Sequence, residues 1–428
     1  MIHYDIFSAT ARGASHVDAG TVCEDSSAHF DGGTYQIAAV ADGHGDRTCF
    51  RSQIGSKFAV EVVVEQLKLF AAQFPADKID ALLHSDRFRE EITHQLALSV
   101  IGTWHERILA HYKANPPTEE ELTSSGRYEA RYRSGTDLAH IYGTTLIACL
   151  VTEQYLLTLH QGDGRIIVIR KNGRIDQPVP WDPRCRMNIT TSMCNDDAVE
   201  SCRFYVSDQQ ADPVAAVYVL TDGVEDSFRS LDSLNTFCGD LTGRCVEHGI
   251  PDAKTLEAEL AGLSRRGSSD DASIAAILDL QAARPLCASF RLRMEMETGS
   301  RAMGLANLYL DSMYMKRASL ASKLEDARRE YAALEHEVTG LGHRMRGLAK
   351  QIRECWKESM EKAPAEKAAK AALEAAQAAY DETDAEYQEY AAKVRAGQVR
   401  CRNAENKLRE MGLLDPQQPS EEAGVDGA

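Results

Sequence analysis

The 428-residue chain contains eleven cysteines but no Cys-x-x-Cys. Cys185, Cys194 and Cys202 lie nearest one another, without the short spacing or adjacent histidine of a zinc site. Single, unpaired thiols fit a reducing compartment, so a cytoplasmic location is expected. The chain is also poor in positive charge: 48 Lys and Arg stand against 65 Asp and Glu, a net charge of −17. Phosphate backbones need a cationic face, so nucleic acid is excluded as the main partner. No apolar run reaches the roughly 18 residues of a membrane helix, and no membrane association is expected. The opening MIHYDIFSATARG lacks a basic stretch followed by an apolar one, so no signal peptide is expected.

A hydrophobic content of 43% supports a large core, and the length suggests more than one unit. The first two-thirds mixes strand and helix signals. A strand is expected at Tyr35–Ala41, and helices at 46–70 and 86–112, where Phe50, Ile54, Phe58 and Val62, then Phe88, Ile92, Leu96 and Val100, recur at helical spacing. The Pro-, Ser- and Gly-containing stretch 114–140 reads as a loop. Strands follow at 144–152, 155–160 and 165–170, the last ending in the hairpin signal Asn172-Gly173. Further strands are expected at 215–220 and 272–280, and the polar stretch 177–210 reads as a flap or loop.

Beyond about Arg284 the character changes. Leu320, Leu324, Ala327, Tyr331, Leu334, Val338, Leu341, Met345, Leu348, Ile352 and Cys355 follow a four-three spacing. A second seam runs through Leu373, Tyr380, Tyr387, Val394, Cys401 and Leu408. Pro364 interrupts the pattern and marks a short break between the two seams. This pattern predicts an antiparallel helical hairpin over 301–412, after a linker at 284–300 and before a disordered tail at 413–428. The hairpin would serve a coiled-coil partner or a homodimer.

The chemistry sits at strand ends. AVADGHGD runs from an apolar strand into Asp42, Gly43 and His44. AAVYVL runs into Thr221-Asp222-Gly223, YLLTLH into Gln161-Gly162-Asp163-Gly164, and Asp270-Asp271 opens ASIAAI. Cys23-Glu24-Asp25 adds an acidic pair. A single Asp-Gly after a strand is usually a turn; the ordered set is the signal. Carboxylates gathered on one rim would repel and raise one another's pKa, and a divalent cation removes that penalty. Hard oxygen donors select Mg²⁺ or Mn²⁺.

The series CEDSS, VADGHG, YGTT, GDGR, LTDGVED and SDDAS, over about residues 8–283, resembles the metal-dependent serine/threonine protein phosphatases of type 2C, in their bacterial branch. The resemblance implies an α+β fold: two packed antiparallel β-sheets flanked by helices, here with a C-terminal helical hairpin. The catalytic domain would occupy 1–283. The resemblance also implies two Mn²⁺ or Mg²⁺ ions bridged by Asp42, with a carbonyl from Gly43. Asp222 and Asp270 would complete one ion, Glu24 and Asp25 the other. Asp163 with Asp222 would hold a third where one is bound. A hydroxide activated by two metals would attack a phosphorylated protein substrate, with His44 as general acid for the leaving alkoxide. Cysteine-based phosphatase chemistry is not expected, since no Cys sits in a glycine-rich loop ending in Arg.

Two departures stand out. The arginine that grips phosphate in eukaryotic members falls here at Gly20, leaving His16, Arg12, Arg47 or Arg51 as substitutes. The family's GDSR is GDGR. Two alternatives remain: a catalytically weak relative acting as a scaffold through its coiled coil, and a hydrolase of small phosphoesters.

Overall fold

The run Tyr35–Ala41 is apolar at successive positions because both of its faces are covered. Ile37, Ala39 and Ala41 pack against helices, while Ala38 and Val40 pack against a second sheet. The structure, a computed structural model, describes residues 3–74, 76–186, 189–345 and 352–410. In chain order the strands are β1 (Asp5–Ala11), β2 (Ser26–Asp31), β3 (Tyr35–Ala41), β4 (Leu146–Thr152) and β5 (Tyr155–Gln161). They continue with β6 (Arg165–Arg170), β7 (Ile175–Asp176), β8 (Arg203–Asp208), β9 (Val214–Leu220) and β10 (Ala272–Leu278).

One sheet has the order β1-β10-β9-β6-β7 and the other β2-β3-β4-β5-β8, with every pairing antiparallel. Val40, Ile147, Cys149, Val168, Val217, Val219 and Ile277 fill the space between the sheets. Helices Ser52–Gln73 and Asp86–Ala114 cover the outer face of the second sheet, joined by the Trp104 indole, which donates to the Gly55 carbonyl at 3.0 Å. Helices Leu231–His248 and Ala253–Arg266 cover the outer face of the first. Each fully buried Val, Leu or Ile contributes about 1.5–3 kcal/mol, so these three apolar layers are the main source of stability. The expected sandwich is present.

Local readings differ in four places. β1 and β2 carry Ser, Thr, His and Asp between their apolar residues and gave no clear signal. The stretch 114–140 is not a plain loop: Glu119–Ser124 and Glu129–Arg133 are short helices. The first starts at a capping box in which Thr118 and Glu121 exchange side-chain and backbone hydrogen bonds. The stretch 177–210 is mostly irregular but ends in a short helix, Ala198–Ser201, and β8. Pro364 is no break, because it lies inside the helix Ile352–Glu410.

Compact packing divides the chain into Met1–Met294 and Glu295–Ala428. The helix Cys287–Met345 begins within the stretch expected as a linker. In the second unit this helix runs antiparallel to Ile352–Glu410. Arg317 Nε meets Tyr380 Oη at 2.9 Å and Asp384 Oδ1 at 3.1 Å, Cys401 Sγ meets the Met296 carbonyl at 3.7 Å, and Glu337 pairs with Lys362. Met313, Leu324, Ala369, Val394 and Ala404 are buried along the contact. The seam members Leu348 and the tail 413–428 lie outside the described residues. No described helix is long and apolar enough to cross a membrane, and the described cysteines are free.

Candidate active site at one end of the sheets

Strand register brings the acidic motifs to one edge. Ser26 pairs with Ala41, so Asp25 and Asp42 lie just beyond the same end of β2 and β3. In the other sheet Leu220 pairs with both Ile274 and Arg165, which sets Asp222, Asp270 and Asp163 at the matching end of β9, β10 and β6. The backbone there is pinned. The Asp42 carbonyl accepts from Thr145 N–H and Thr144 Oγ, both at 2.8 Å, and the Asp42 N–H donates to Thr145 Oγ at 3.0 Å.

Of the carboxylates singled out in the sequence, Asp222 and Asp25 both stand near enough to Asp42 for their charges to act on it. The Asp42 and Asp222 carboxyls are neighbours, each acting on the other's protonation. Burial, then the charges of Asp222 and Asp25, pushes the Asp42 carboxyl well above the carboxylate range. Burial and the neighbouring charge of Asp163 lift Asp222 to about 7. Asp25 is 6% exposed; one oxygen accepts from Thr221 Oγ at 2.8 Å, and the other is buried with no partner. Its carboxyl is likewise raised, chiefly by burial. Asp163 is raised by burial, against a hydrogen bond from Thr190. Glu24 is raised by burial and held by Ser52 Oγ at 2.8 Å.

Two acidic residues were missed as individual contributors. Asp226, in LTDGVED, donates its N–H to the Asp222 carbonyl at 2.7 Å and is raised by burial and by the charge of Asp270. Asp271 is a brace. Its oxygens accept from Gly13 N–H at 2.5 Å and Glu24 N–H at 2.6 Å, and one lies 2.9 Å from His16 Nδ1. It therefore ties β10 to the start of the first acidic segment, a contact across more than 240 residues that no local pattern shows.

The candidates for phosphate contact separate. His16 is engaged by Asp271 and lies 3.8 Å from Glu24 Oε2. Arg51 is 6% exposed and bound to Glu121, the Asn115 carbonyl and Tyr142 Oη, so its guanidinium is not free to hold phosphate. Arg47 is exposed, and exposed Arg12 donates to the Thr21 carbonyl at 3.1 Å. Gly20 ends the short helix Ala14–Ala19 at φ +70°, a left-handed cap that disfavours an arginine there.

GDGR also has a steric cause. A Cβ on Gly164 would lie 2.2 Å from the Leu220 carbonyl oxygen and 2.7 Å from Ile147 Cδ1. Restoring the family's serine by Gly164→Ser is expected to cost about 1–3 kcal/mol through overpacking. Thermal melts should show a drop of several degrees, and an unchanged melt would contradict this packing.

His44 is partly buried, with Nε2 2.8 Å from Ser192 Oγ. Burial, then His140, lowers its pKa to about 4, against a weaker upward pull from Asp46, so it is neutral at pH 7.

The donor set suits a hard divalent cation: several carboxylates, one buried oxygen without a partner, and a neighbouring pair whose charges repel. Among the described residues no three His, Cys, Asp or Glu side chains stand together in metal-holding geometry. Like charges without a cation between them have reason to stand apart.

Residues 12–262 match the family model of Protein phosphatase 2C, more than half of the chain. The chain belongs to the protein phosphatase 2C family, whose members are metal-dependent serine/threonine phosphatases using Mn²⁺ or Mg²⁺. Among curated proteins, none matches it. Among solved structures it is similar to the catalytic domain of the serine/threonine phosphatase PstP in complex with two manganese ions, at 18% identity and TM-score 0.38, covering 65% of this chain and 99% of that one. It is similar to serine/threonine phosphatase Stp1 from Staphylococcus aureus at 15% identity and TM-score 0.38, covering 65% and 95%. It is also similar to PppA of Pseudomonas aeruginosa at 15% identity and TM-score 0.37, covering 64% and 97%. Membership rests on the family match.

Proposed function

We propose that this chain hydrolyses phosphoserine or phosphothreonine in proteins, using divalent cations held at the rim described above. The observation that carries this reading is the meeting of Asp42 and Asp222 beside buried Asp25, whose free oxygen has no protein partner. Asp42, Asp222 and Asp270 would hold one ion, and Asp42 with Glu24 and Asp25, directly or through water, a second, with a carbonyl from Gly43. Asp163 with Asp222 would hold a third where one is bound. Bound there, Mn²⁺ or Mg²⁺ supplies an acidified water and neutralises phosphoryl oxygens.

The chain's own residues do the rest. Thr144 and Thr145 fix the Asp42 backbone, and Asp271 fixes that of Glu24. Arg47 and Arg12 are the exposed cations left for the phosphate. A seryl or threonyl alkoxide leaves poorly without a proton, and His44, next in the chain to Gly43, is the candidate donor. An incoming phosphate dianion would favour its charged form over the neutral one that burial imposes.

We assign catalysis to 1–283 and read 301–412 as a coiled-coil arm for a protein partner or a second copy. The free thiols support a cytoplasmic protein. Turnover of phosphoserine, phosphothreonine and small phosphoesters with added Mn²⁺ tests the reading. Preference for phosphopeptides is expected; turnover of small esters alone would support the hydrolase of small phosphoesters. The absence of any turnover would support the scaffold.

A further inference from the structure

The irregular stretch between β7 and β8 brings the Ser192 hydroxyl to His44. Ser192 is 2% exposed. Its Oγ lies 2.8 Å from His44 Nε2 and 3.0 Å from the Thr144 carbonyl oxygen, and it accepts from Cys194 N–H at 3.4 Å. Cys194 Sγ stands 3.2 Å away. Thr144 is the residue whose hydroxyl holds the Asp42 carbonyl. The His44 backbone N–H donates to the Gly143 carbonyl at 3.0 Å, and a Cβ on Gly143 would lie 2.6 Å from His44 Cδ2. The ring therefore has backbone on one side and Ser192 at its tip.

Proton counting selects a tautomer. A serine hydroxyl has one proton to give and two lone pairs to receive with. A carbonyl oxygen can only accept, so the 3.0 Å contact to Thr144 requires the Ser192 proton. The 2.8 Å contact to His44 is then a hydrogen bond only when Nε2 carries a proton and donates it to Ser192 Oγ. With the proton on Nδ1 instead, Nε2 and the Thr144 oxygen would compete for a single hydrogen. One of the two short contacts would then become an acceptor facing an acceptor. In a buried place such a conflict costs about 1–3 kcal/mol.

We propose that Ser192 is a positioning residue that holds His44 as the Nε2–H tautomer through the Thr144 carbonyl, leaving Nδ1 as the nitrogen with the free lone pair. Ser192 thereby couples the irregular stretch to the backbone that presents Asp42. The catalytic side of the claim rests on the phosphatase reading above; the tautomer does not.

The test uses the full chain. In metal-free, ¹⁵N-histidine-labelled protein, the ring signals lost in His44→Gln are expected to show the Nε2–H pattern in wild type. In Ser192→Ala they should move toward the other tautomer, and in Ser192→Thr, which keeps the hydroxyl, the wild-type pattern should return. With Mn²⁺, Ser192→Ala should slow kcat on a phosphoserine peptide by about tenfold or more, a fraction of the ~10²–10⁴ that proton transfer contributes. Turnover of p-nitrophenyl phosphate, whose leaving group needs no proton, should barely change. A purely structural role would lower both.

An Nδ1–H pattern in wild type, an Nε2–H pattern that survives Ser192→Ala, or an equal fall for both esters would overturn the proposal. The wild-type spectrum decides the tautomer even if the alanine variant does not fold. If wild type hydrolyses neither ester, the functional reading fails, and the tautomer is judged on the spectra alone.

Discussion

Asp42→Asn is expected to abolish Mn²⁺-dependent phosphopeptide hydrolysis, by about 10³-fold or more, and at the same time to raise the melting temperature of the metal-free protein. The activity loss corresponds to about 4 kcal/mol of barrier, in keeping with the several kcal/mol that metal ions supply to phosphoryl transfer. The stability gain has a separate cause. Asp42 is desolvated, and its charged form is opposed by Asp222 and Asp25. Asparagine keeps the shape, removes the charge, and can donate a hydrogen bond to Asp222. One unit of relieved pKa shift is worth 1.36 kcal/mol, so a gain of about 2–6 °C is reasonable for a domain of this size. Added Mn²⁺ should stabilise wild type far more than the variant. A variant that melts below wild type without metal, or that keeps its activity, would refute the role given to Asp42.

The second large effect concerns pH. Asp222 is raised to about 7, and Asp25 and Asp42 are raised well above their ordinary values, in each case chiefly by burial. An acid with a raised folded pKa holds its proton more tightly in the folded state. Its contribution to stability is full below the unfolded value near 4 and is lost as pH rises through the folded pKa. The metal-free protein should therefore lose stability between about pH 4 and 7 on account of Asp222, by about 4 kcal/mol, with Asp25 and Asp42 acting in the same direction. A bound divalent cation favours the ionised carboxylates and reverses the sign, so Mn²⁺ should bind more tightly as pH rises and release protons on binding. Melting curves from pH 5 to 8, with chelator and with Mn²⁺, read both slopes. Parallel slopes in the two conditions would contradict this account.

These effects depend on residues that were unequally visible in the sequence. Asp42, Asp163, Asp222 and Asp270 could be found because each sits beside an apolar strand whose end is marked by glycine or serine. β3 and β9 read clearly because burial on two faces makes them continuously apolar. β1 and β2 did not, since their polar residues obscure the period. Asp271 and Ser192 act through contacts across 247 and 148 residues, and nothing in their neighbourhoods announces that. Arg51 looked available because sequence shows charge but not the carboxylate that already pairs with it. The helices near 119–133 had one signal, Thr118 with Glu121, which the nearby prolines and glycine outweighed. Pro364 was read as a break, yet the Ala-rich sequence after it sustains the helix in which it lies.

The most direct test is a crystal of the full chain grown with Mn²⁺, with the ions located by anomalous scattering. The account predicts manganese held by Asp42 with Asp222 and Asp270, and by Asp42 with Asp25 and Glu24, the Gly43 carbonyl contributing. Manganese elsewhere, with no ion at the Asp42 and Asp222 carboxyls, would contradict it.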